Sequence, residues 1–569
     1  MSDFLGAIQS LFHALEPKYF LFSVAVLVFA LLLTVLHAQF KKDKNKMRIW
    51  RILCFLPLVI SIIHFILFFA GTPLCTEIVL FYIPSVFIAL WTLFGDKKKL
   101  YVIFTAAVYL INAVGFVSIP SLGFRGNFVR MSYTESFKAT VSEMRDNYVL
   151  TEWKKIDFDA IEAELLPLVE EAEKNNDPAA FSAALAEYRS KFHDGHVEMF
   201  ILDSNVKKNF IDRFTGNDYG LSMITIDDGR TIAVMTDEDS DVRTAGIHDG
   251  TVITKWNGVA IDEAKKGAEY TGVRNIPVAS NEELMKAAFL AGSGGESVNV
   301  TFINDKGKEE TVSLDKIGSY YGRYTAMTDK LFSKDKTKDE NYSYRMLNDK
   351  CGYILIKNES FNGYDDIAWL TGNHPAVRKD FIERLDDLKS QGMETLVIDM
   401  RNNTGGYDVV ALGWASAFAD KQYYAYSLGM KTDSGYESTA NQYLYPSGEY
   451  ADMKVVVLVN MFCNSAGDTA MLSLSKLPNV TVLGITDPNG SAQNTGGSCY
   501  LSGGIAAINY PVEPVLDESG NPHIDVSDAR ISRNPVDEYI PLDYNAATRI
   551  FCNGEDYELD YAINYLSAK

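Results

Sequence analysis

The stretch "VVVLVNMFCNSAGDTAMLSL", residues 455–474, reads as a buried strand, a tight turn and a helix. Ser465 sits where the turn becomes the helix. Two roles compete for it. A serine at a helix start is a normal N-cap, its side chain accepting a hydrogen bond from a free backbone N–H. The same position puts Oγ at the positive end of the helix dipole, beside unpaired N–H groups, where an attacking oxygen is well served.

The flanking sequence extends the pattern. After the charged linker "SKDKTKDENYSY" (333–344), strands and helices alternate: "CGYILIKNES", "VRKDFIERLDDLKSQG", "TLVIDMRNN", "YDVVALGWASAFAD", "KVVVLVN", "AGDTAMLSLSKL", "VTVLGITD". That order predicts an α/β core with a mostly parallel sheet over residues 321–569. Sites in such sheets collect where strands end and helices begin. A second junction of this kind is "VIDMRNNTGGYDVV", in which Gly405 and Gly406 allow a turn that aims N–H groups outward. The N–H of Ala466 and one from Gly405 or Gly406 could together form an oxyanion hole.

Upstream, residues 125–200 have apolar residues at helical spacing, broken by "NNDP", where Asp177 and Pro178 mark a helix start. Residues 201–320 change to short strands with Gly turns. Their core phrase, "TAGIHDGTVITKWNGVAI" (244–261), resembles the recurrent phrase of PDZ domains. That resemblance implies that Tyr219, Gly220, Leu221 and Ser222 form a loop receiving a peptide C-terminal carboxylate, with strand addition beside it.

Residues 1–124 carry four apolar runs, at about 19–38, 50–70, 77–95 and 101–118. Each has about twenty residues, enough to cross a bilayer. Lys41, Lys42, Lys44, Lys46, Arg48 and Arg51 cluster between the first two, and Lys97, Lys98 and Lys99 between the last two. The positive-inside rule then puts the N-terminus and everything after about residue 120 outside. The expectation is a four-helix all-α membrane domain in a multi-pass cell-membrane protein with the lipid bilayer as a partner. The runs hold few ionisable residues, which argues against a transport path.

Of 569 residues, 53 are Lys or Arg and 74 Asp or Glu, a net charge of -21. So acidic a chain is a poor match for nucleic-acid phosphates. Cys54, Cys75, Cys351, Cys463, Cys499 and Cys552 form no CxxC pair and no zinc spacing. No metal or organic cofactor is expected.

"GYILI", "LVIDMRNNTGGYDVVALGWASAFA" and "NMFCNSAGDTAMLSLSKLPNVTVLG" follow one another as in the C-terminal processing (tail-specific) proteases, serine peptidases that share their core with the tricorn protease. The resemblance covers about residues 130–560. It implies a crotonase-like core, a nucleophilic Ser465 and oxyanion donors in the "NTGG" turn, where Thr404 stands in place of the more usual Pro. A serine needs a base. The tail-specific proteases use a lysine about twenty-five residues after the serine, but that count falls on Gly490. The lysines after Ser465 are Lys476, inside a helix, and Lys569. The chain instead resembles the tricorn-like branch, whose base is an upstream histidine, at His196 in "HDGH". Of the five histidines after residue 124, His193 is its local competitor. The same branch takes a Glu from near the end of the domain; the corresponding region here, "HIDVSDARISRNPVDEYIP", has no Glu before Glu538, which leaves Asp525 or Asp528, with Asp528 favoured. Asp468, three residues after Ser465, reads as a dipole-favouring residue of the helix's first turn.

The resulting expectation is a membrane-anchored, outward-facing serine endopeptidase that cleaves extended or unfolded polypeptides through an acyl-enzyme. The competing expectation is a catalytically inactive peptide-binding scaffold or sensor that uses the PDZ-like domain.

Overall fold

The computed structural model describes residues 126–568, except 238–240, 273–274, 338–341, 361–373 and 447. Residues 126–131 and Gly496–Gly504 fall in one compact unit; Ser132–Thr495 and Ile505–Lys569 fall in a second. In the first, Asn127 bridges Tyr500 in parallel, and the Phe128 N–H donates to the Tyr500 carbonyl at 2.8 Å.

The second unit is built on a six-stranded sheet. Its strands lie side by side in chain order: Tyr342–Met346, Cys351–Ile356, Thr395–Asp399, Lys454–Leu458, Val480–Gly484 and Glu538–Tyr539. The first pair is antiparallel and the rest are parallel. Side chains alternate across a strand, so each strand feeds two cores. Tyr353, Leu355, Val397, Val456, Leu458 and Leu483 belong to one. Ile354, Ile356, Leu396, Ile398, Val455, Val457 and Val482 belong to the other. The second core is closed by Phe381 and Leu385 of helix His374–Ser390, Val410 and Leu412 of Asp408–Ala415, and Ala470 and Met471 of Ala466–Ser475. Helices Tyr321–Leu331 and Tyr557–Ala568 close the first. Burial on both faces is why these strands read as continuous apolar runs rather than alternating ones.

Residues 222–315 form a separate antiparallel sheet in the order Ser222–Thr225, Thr231–Val234, Val252–Trp256, Ser297–Ile303, Glu309–Asp315. Asn257 and Gly258 turn the short hairpin from Val252–Trp256 to Val259–Ala260 with φ of 49° and 78°. Asn-Gly is the pair that tolerates two successive positive φ values. Ahead of this sheet, Asp177 caps helix Pro178–Ser190, accepting from the Ala179 and Ala180 N–H groups with Pro178 in the first position.

The expected membrane domain requires correction. Among the described residues no helix is long and apolar enough to cross a membrane. Length and charge are the physical reason. The longest described helices, Phe158–Lys174 and His374–Ser390, have 17 residues each and carry acidic and basic side chains. A span needs about twenty predominantly apolar residues. The four apolar runs and the 1–124 domain lie outside the described residues. The expected cell-membrane location and outward orientation are withdrawn with the membrane domain.

Candidate active site

Ser465 has φ 60° and ψ −127°, and its side chain makes no capping hydrogen bond to helix Ala466–Ser475. A non-glycine residue at positive φ carries backbone strain of about 1–3 kcal/mol, which persists only when the surroundings impose it. Three hydrogen bonds impose it here. The Ser465 N–H donates to the Ser491 carbonyl at 2.9 Å, the Asn464 N–H to the Asn403 carbonyl at 3.0 Å, and the Thr469 N–H to the Ser465 carbonyl at 3.2 Å. The hydroxyl stands at the helix start without serving as its cap.

The "NNTGG" turn wraps against this serine. Asn402, Gly405 and Gly406 have φ of 61°, 82° and 154°. A Cβ on Gly405 would lie 2.4 Å from Ser465 Cβ and 2.9 Å from Ser465 Oγ, so the approach needs a glycine. Fully buried Asn403 is the hub of the turn. Its Nδ2 donates to the Ile356 carbonyl at 2.9 Å and to Glu359 Oε1 at 2.8 Å, while its Oδ1 accepts from the Gly405 N–H at 2.8 Å. The Gly405 N–H is therefore engaged. Among the described residues the N–H groups of Gly406 and Ala466 meet no acceptor. For Ala466 this follows from its place as first residue of the helix, below the reach of the i→i−4 ladder.

The "HDGH" turn arrives from the other side. Asp194 ties it: Oδ1 accepts from the His196 N–H at 2.8 Å and Oδ2 from the Tyr148 hydroxyl at 2.7 Å. The Gly195 N–H donates to Ser491 Oγ at 2.8 Å. One residue, Ser491, thus holds the neighbour of His196 through its hydroxyl and Ser465 through its carbonyl. A Cβ on Gly195 would come within 2.0 Å of Asn489 Oδ1. His196 is 5 % exposed. In His193, burial and then the Arg530 guanidinium push the imidazole down to about 4, so it is neutral at neutral pH.

Ser491 is itself fixed by Asp468. The Asp468 carboxylate accepts from the Gly490 N–H at 3.1 Å and the Ser491 N–H at 3.2 Å, and burial pushes it well above the usual carboxylate range. It is more than a dipole-favouring residue: it clamps the loop that returns beneath the serine. That loop is where the residue count for a downstream lysine ends.

The two candidate acids separate. Asp525 is fully buried. Its Oδ2 accepts from the Ala492 N–H at 3.1 Å, and its Oδ1 is 3.6 Å from Lys154 Nζ. Burial and the nearby Asp194 hold it above the usual carboxylate range, with Lys154 opposing. Asp528, the favoured expectation, is not brought to the site. It is exposed and paired with Lys155 at 2.6 Å, which holds it below its ordinary value. Three residues of loop are enough to face it away.

Tyr219, Gly220, Leu221 and Ser222 are buried. The Gly220 N–H donates to Asp218 Oδ1 at 2.9 Å, the Tyr219 hydroxyl to the Gly295 carbonyl at 2.7 Å, and Ser222 Oγ is bonded to the Tyr320 hydroxyl at 2.6 Å. This stretch is packed rather than an open loop. Among the described residues no group of three or more His, Cys, Asp or Glu side chains could hold a metal ion.

Sequence reasoning missed Asn403, Ser491 and Glu359. For Asn403 a signal existed, since it directly precedes the "TGG" turn; for the others, partners lie far away in the chain.

A serine beside a glycine turn, at the end of a parallel strand, is the arrangement of a serine-type hydrolase. Residues 350–528 match the model for peptidase family S41, a span that holds the "NTGG" turn, Ser465, Asp525 and Asp528. Together with the site, that match shows the protein to be a serine-type peptidase. Solved structures are similar to it. Mature CPAF complexed with lactacystin matches with a TM-score of 0.50 at 13% identity, over 76% of this chain and 97% of that one. A putative peptidase from Parabacteroides merdae matches with a TM-score of 0.42 at 15% identity, over 77% and 97%. The photosystem II D1 C-terminal processing protease matches with a TM-score of 0.31 at 17% identity, over 75% and 98%. No curated protein sequence matches this chain.

Proposed function

We propose that this serine peptidase is an endopeptidase of the tail-specific type that cleaves extended or unfolded polypeptides, with Ser465 as nucleophile and His196 as base. The observation that carries the reading is the strained backbone of Ser465, whose hydroxyl is not used as a cap. His196 takes the Oγ proton as Oγ bonds to the peptide carbonyl carbon. The N–H groups of Gly406 and Ala466 receive the oxyanion. The tetrahedral intermediate collapses, the His196 imidazolium gives its proton to the leaving amine, and an ester on Ser465 remains. Water, deprotonated by His196, then releases the new C-terminus and restores the serine. The burial of Asp525 and its bond to Ala492, next to Ser491, support it over Asp528 as the acid that orients the imidazole.

Part of the polypeptide is held by the PDZ-like segment. The edge position of Ser222–Thr225 in its sheet supports strand addition there, while the packed Tyr219–Ser222 stretch weighs against an open carboxylate loop. A peptide with a free C-terminus competes better than its amide if the carboxylate is read; equal competition removes that part.

The test compares wild type, Ser465→Ala and His196→Ala on an unfolded protein substrate, with fluorophosphonate labelling of the serine. Wild type is expected to cleave and label, and both variants to lose cleavage. Absence of Ser465-dependent labelling refutes the enzyme reading in favour of a peptide-binding scaffold. Full activity in His196→Ala refutes the base.

A further inference from the structure

Glu359 lies three residues past the end of strand Cys351–Ile356 and is fully buried. Its backbone runs beside the glycine turn: its N–H donates to the Gly405 carbonyl at 3.1 Å, and its carbonyl accepts from the Tyr407 N–H at 3.1 Å. Its side chain meets the same turn from below. Oε1 accepts from Asn403 Nδ2, while Oε2 is buried with no hydrogen-bond partner among the described residues. No ion pair with a described residue involves it.

An asparagine amide can face two ways. With Nδ2 toward Glu359 Oε1 and the Ile356 carbonyl, Oδ1 faces the Gly405 N–H and accepts from it. Flipped, it would set oxygen against two acceptors and NH2 against a donor. Removing the Glu359 side chain takes away one of the two Nδ2 acceptors and leaves the Ile356 carbonyl and the Gly405 N–H to select the orientation. The grip of the amide on the Gly405 N–H then loosens, and the peptide that carries the Gly406 N–H is held chiefly by the backbone bond from the Glu359 N–H to the Gly405 carbonyl.

We propose that Glu359 is a positioning residue of the oxyanion turn, fixing the Asn403 amide and, through it, the aim of the Gly406 N–H, and that it must be uncharged while the oxyanion forms. The inference rests on the proposed roles of Ser465 and Gly406. A carboxylate one side chain away from the turn would oppose the negative charge that develops beside Ser465, and a water-poor interior screens it little. The titratable groups facing it are Asp408, from the helix after the turn, and Cys463, from the loop before Ser465. Burial, with a smaller contribution from Asp408 and against the Asn403 hydrogen bond, pushes Glu359 up to about 8. Asp408, buried and accepting from Thr469 Oγ1 at 2.9 Å, is pushed up to about 6. Across the neutral range Glu359 is thus the uncharged member of the pair.

The experiment measures the fluorophosphonate labelling rate of Ser465 and kcat and KM on a polypeptide substrate, from about pH 6 to about pH 10. Wild type is expected to lose kcat and labelling rate on an alkaline limb centred near pH 8. Glu359→Gln keeps the acceptor for Asn403 and cannot ionise. It should hold the neutral rate within about threefold and lose that limb. Glu359→Ala should lower kcat by about tenfold or more at every pH, with KM little changed. An unaltered limb in Glu359→Gln, or a wild-type kcat in Glu359→Ala, overturns the proposal. Wild type that never labels at Ser465 overturns the peptidase site itself, and this inference with it.

Discussion

Replacing Ser465 by glycine is expected to stabilise the folded chain, while alanine is expected to leave stability nearly unchanged. The residue sits at φ 60° and ψ −127°, where a Cβ is strained and glycine is not. Relief of that strain is worth about 1–3 kcal/mol. Glycine gives back about 0.5–1 kcal/mol because it loses more freedom on folding. The net gain is about 1 kcal/mol, a shift of about 0.3–1 M in a urea midpoint. Alanine keeps the Cβ and breaks no capping bond, so its change stays within about 0.5 kcal/mol. A serine that capped the helix would behave in the reverse order. Its replacement by alanine would cost about 1 kcal/mol and by glycine only a few tenths. The assay is urea unfolding of wild type, Ser465→Ala and Ser465→Gly, followed by tryptophan fluorescence, with cleavage measured in parallel. Both variants should be inactive. Wild type as the most stable, with glycine next and alanine last, would refute the strained-nucleophile reasoning.

Three further outcomes are expected. Gly405→Ala places a Cβ 2.4 Å from Ser465 Cβ in a backbone with φ +82°, and an ångström of displacement at a reacting atom can cost about 100-fold; a variant labelled by fluorophosphonate at the wild-type rate would contradict it. Asp525→Asn should lower kcat by at least about 100-fold with the fold retained by circular dichroism, while Asp528→Asn should stay within about twofold; equal losses would return Asp528 to the site. Glu359 is raised from an ordinary 4.5 to about 8, so the folded chain holds its proton more tightly than the unfolded one. Its burial therefore costs nothing below about pH 4.5, costs more as pH rises to about 8, and is constant above that. Glu359→Gln should gain stability over wild type by about 1.4 kcal/mol per pH unit across this window, and a flat difference would refute the burial.

Much of the core was legible along the chain. "CGYILI", "TLVID" and "KVVVL" are apolar without alternation because both faces of each strand are covered, and that pattern is local. The glycine pair at 405–406 and the serine at a helix start were legible for the same reason: each rests on backbone geometry within a few residues. Asp528 was not legible as a surface residue. It and Asp525 stand three apart in a stretch without regular pattern, and only the partners, Lys155 for one and the Ala492 N–H for the other, separate them. The choice between Gly405 and Gly406 was equally closed to inspection, because it depends on which way the buried Asn403 amide faces.

By itself the sequence determined the alternating strand and helix order, the Gly-Gly turn, a serine at a helix start and the want of a downstream lysine, all properties that act over a few residues. Only the tertiary structure decided that Ser465 is held in a strained backbone instead of capping its helix. The hydrogen bonds that hold it come from Ser491, Asn403 and Thr469, and the same Ser491 reaches Gly195, 296 residues away. Convergence of that kind is a property of packing, and a one-dimensional pattern carries no record of which distant groups will share a buried acceptor.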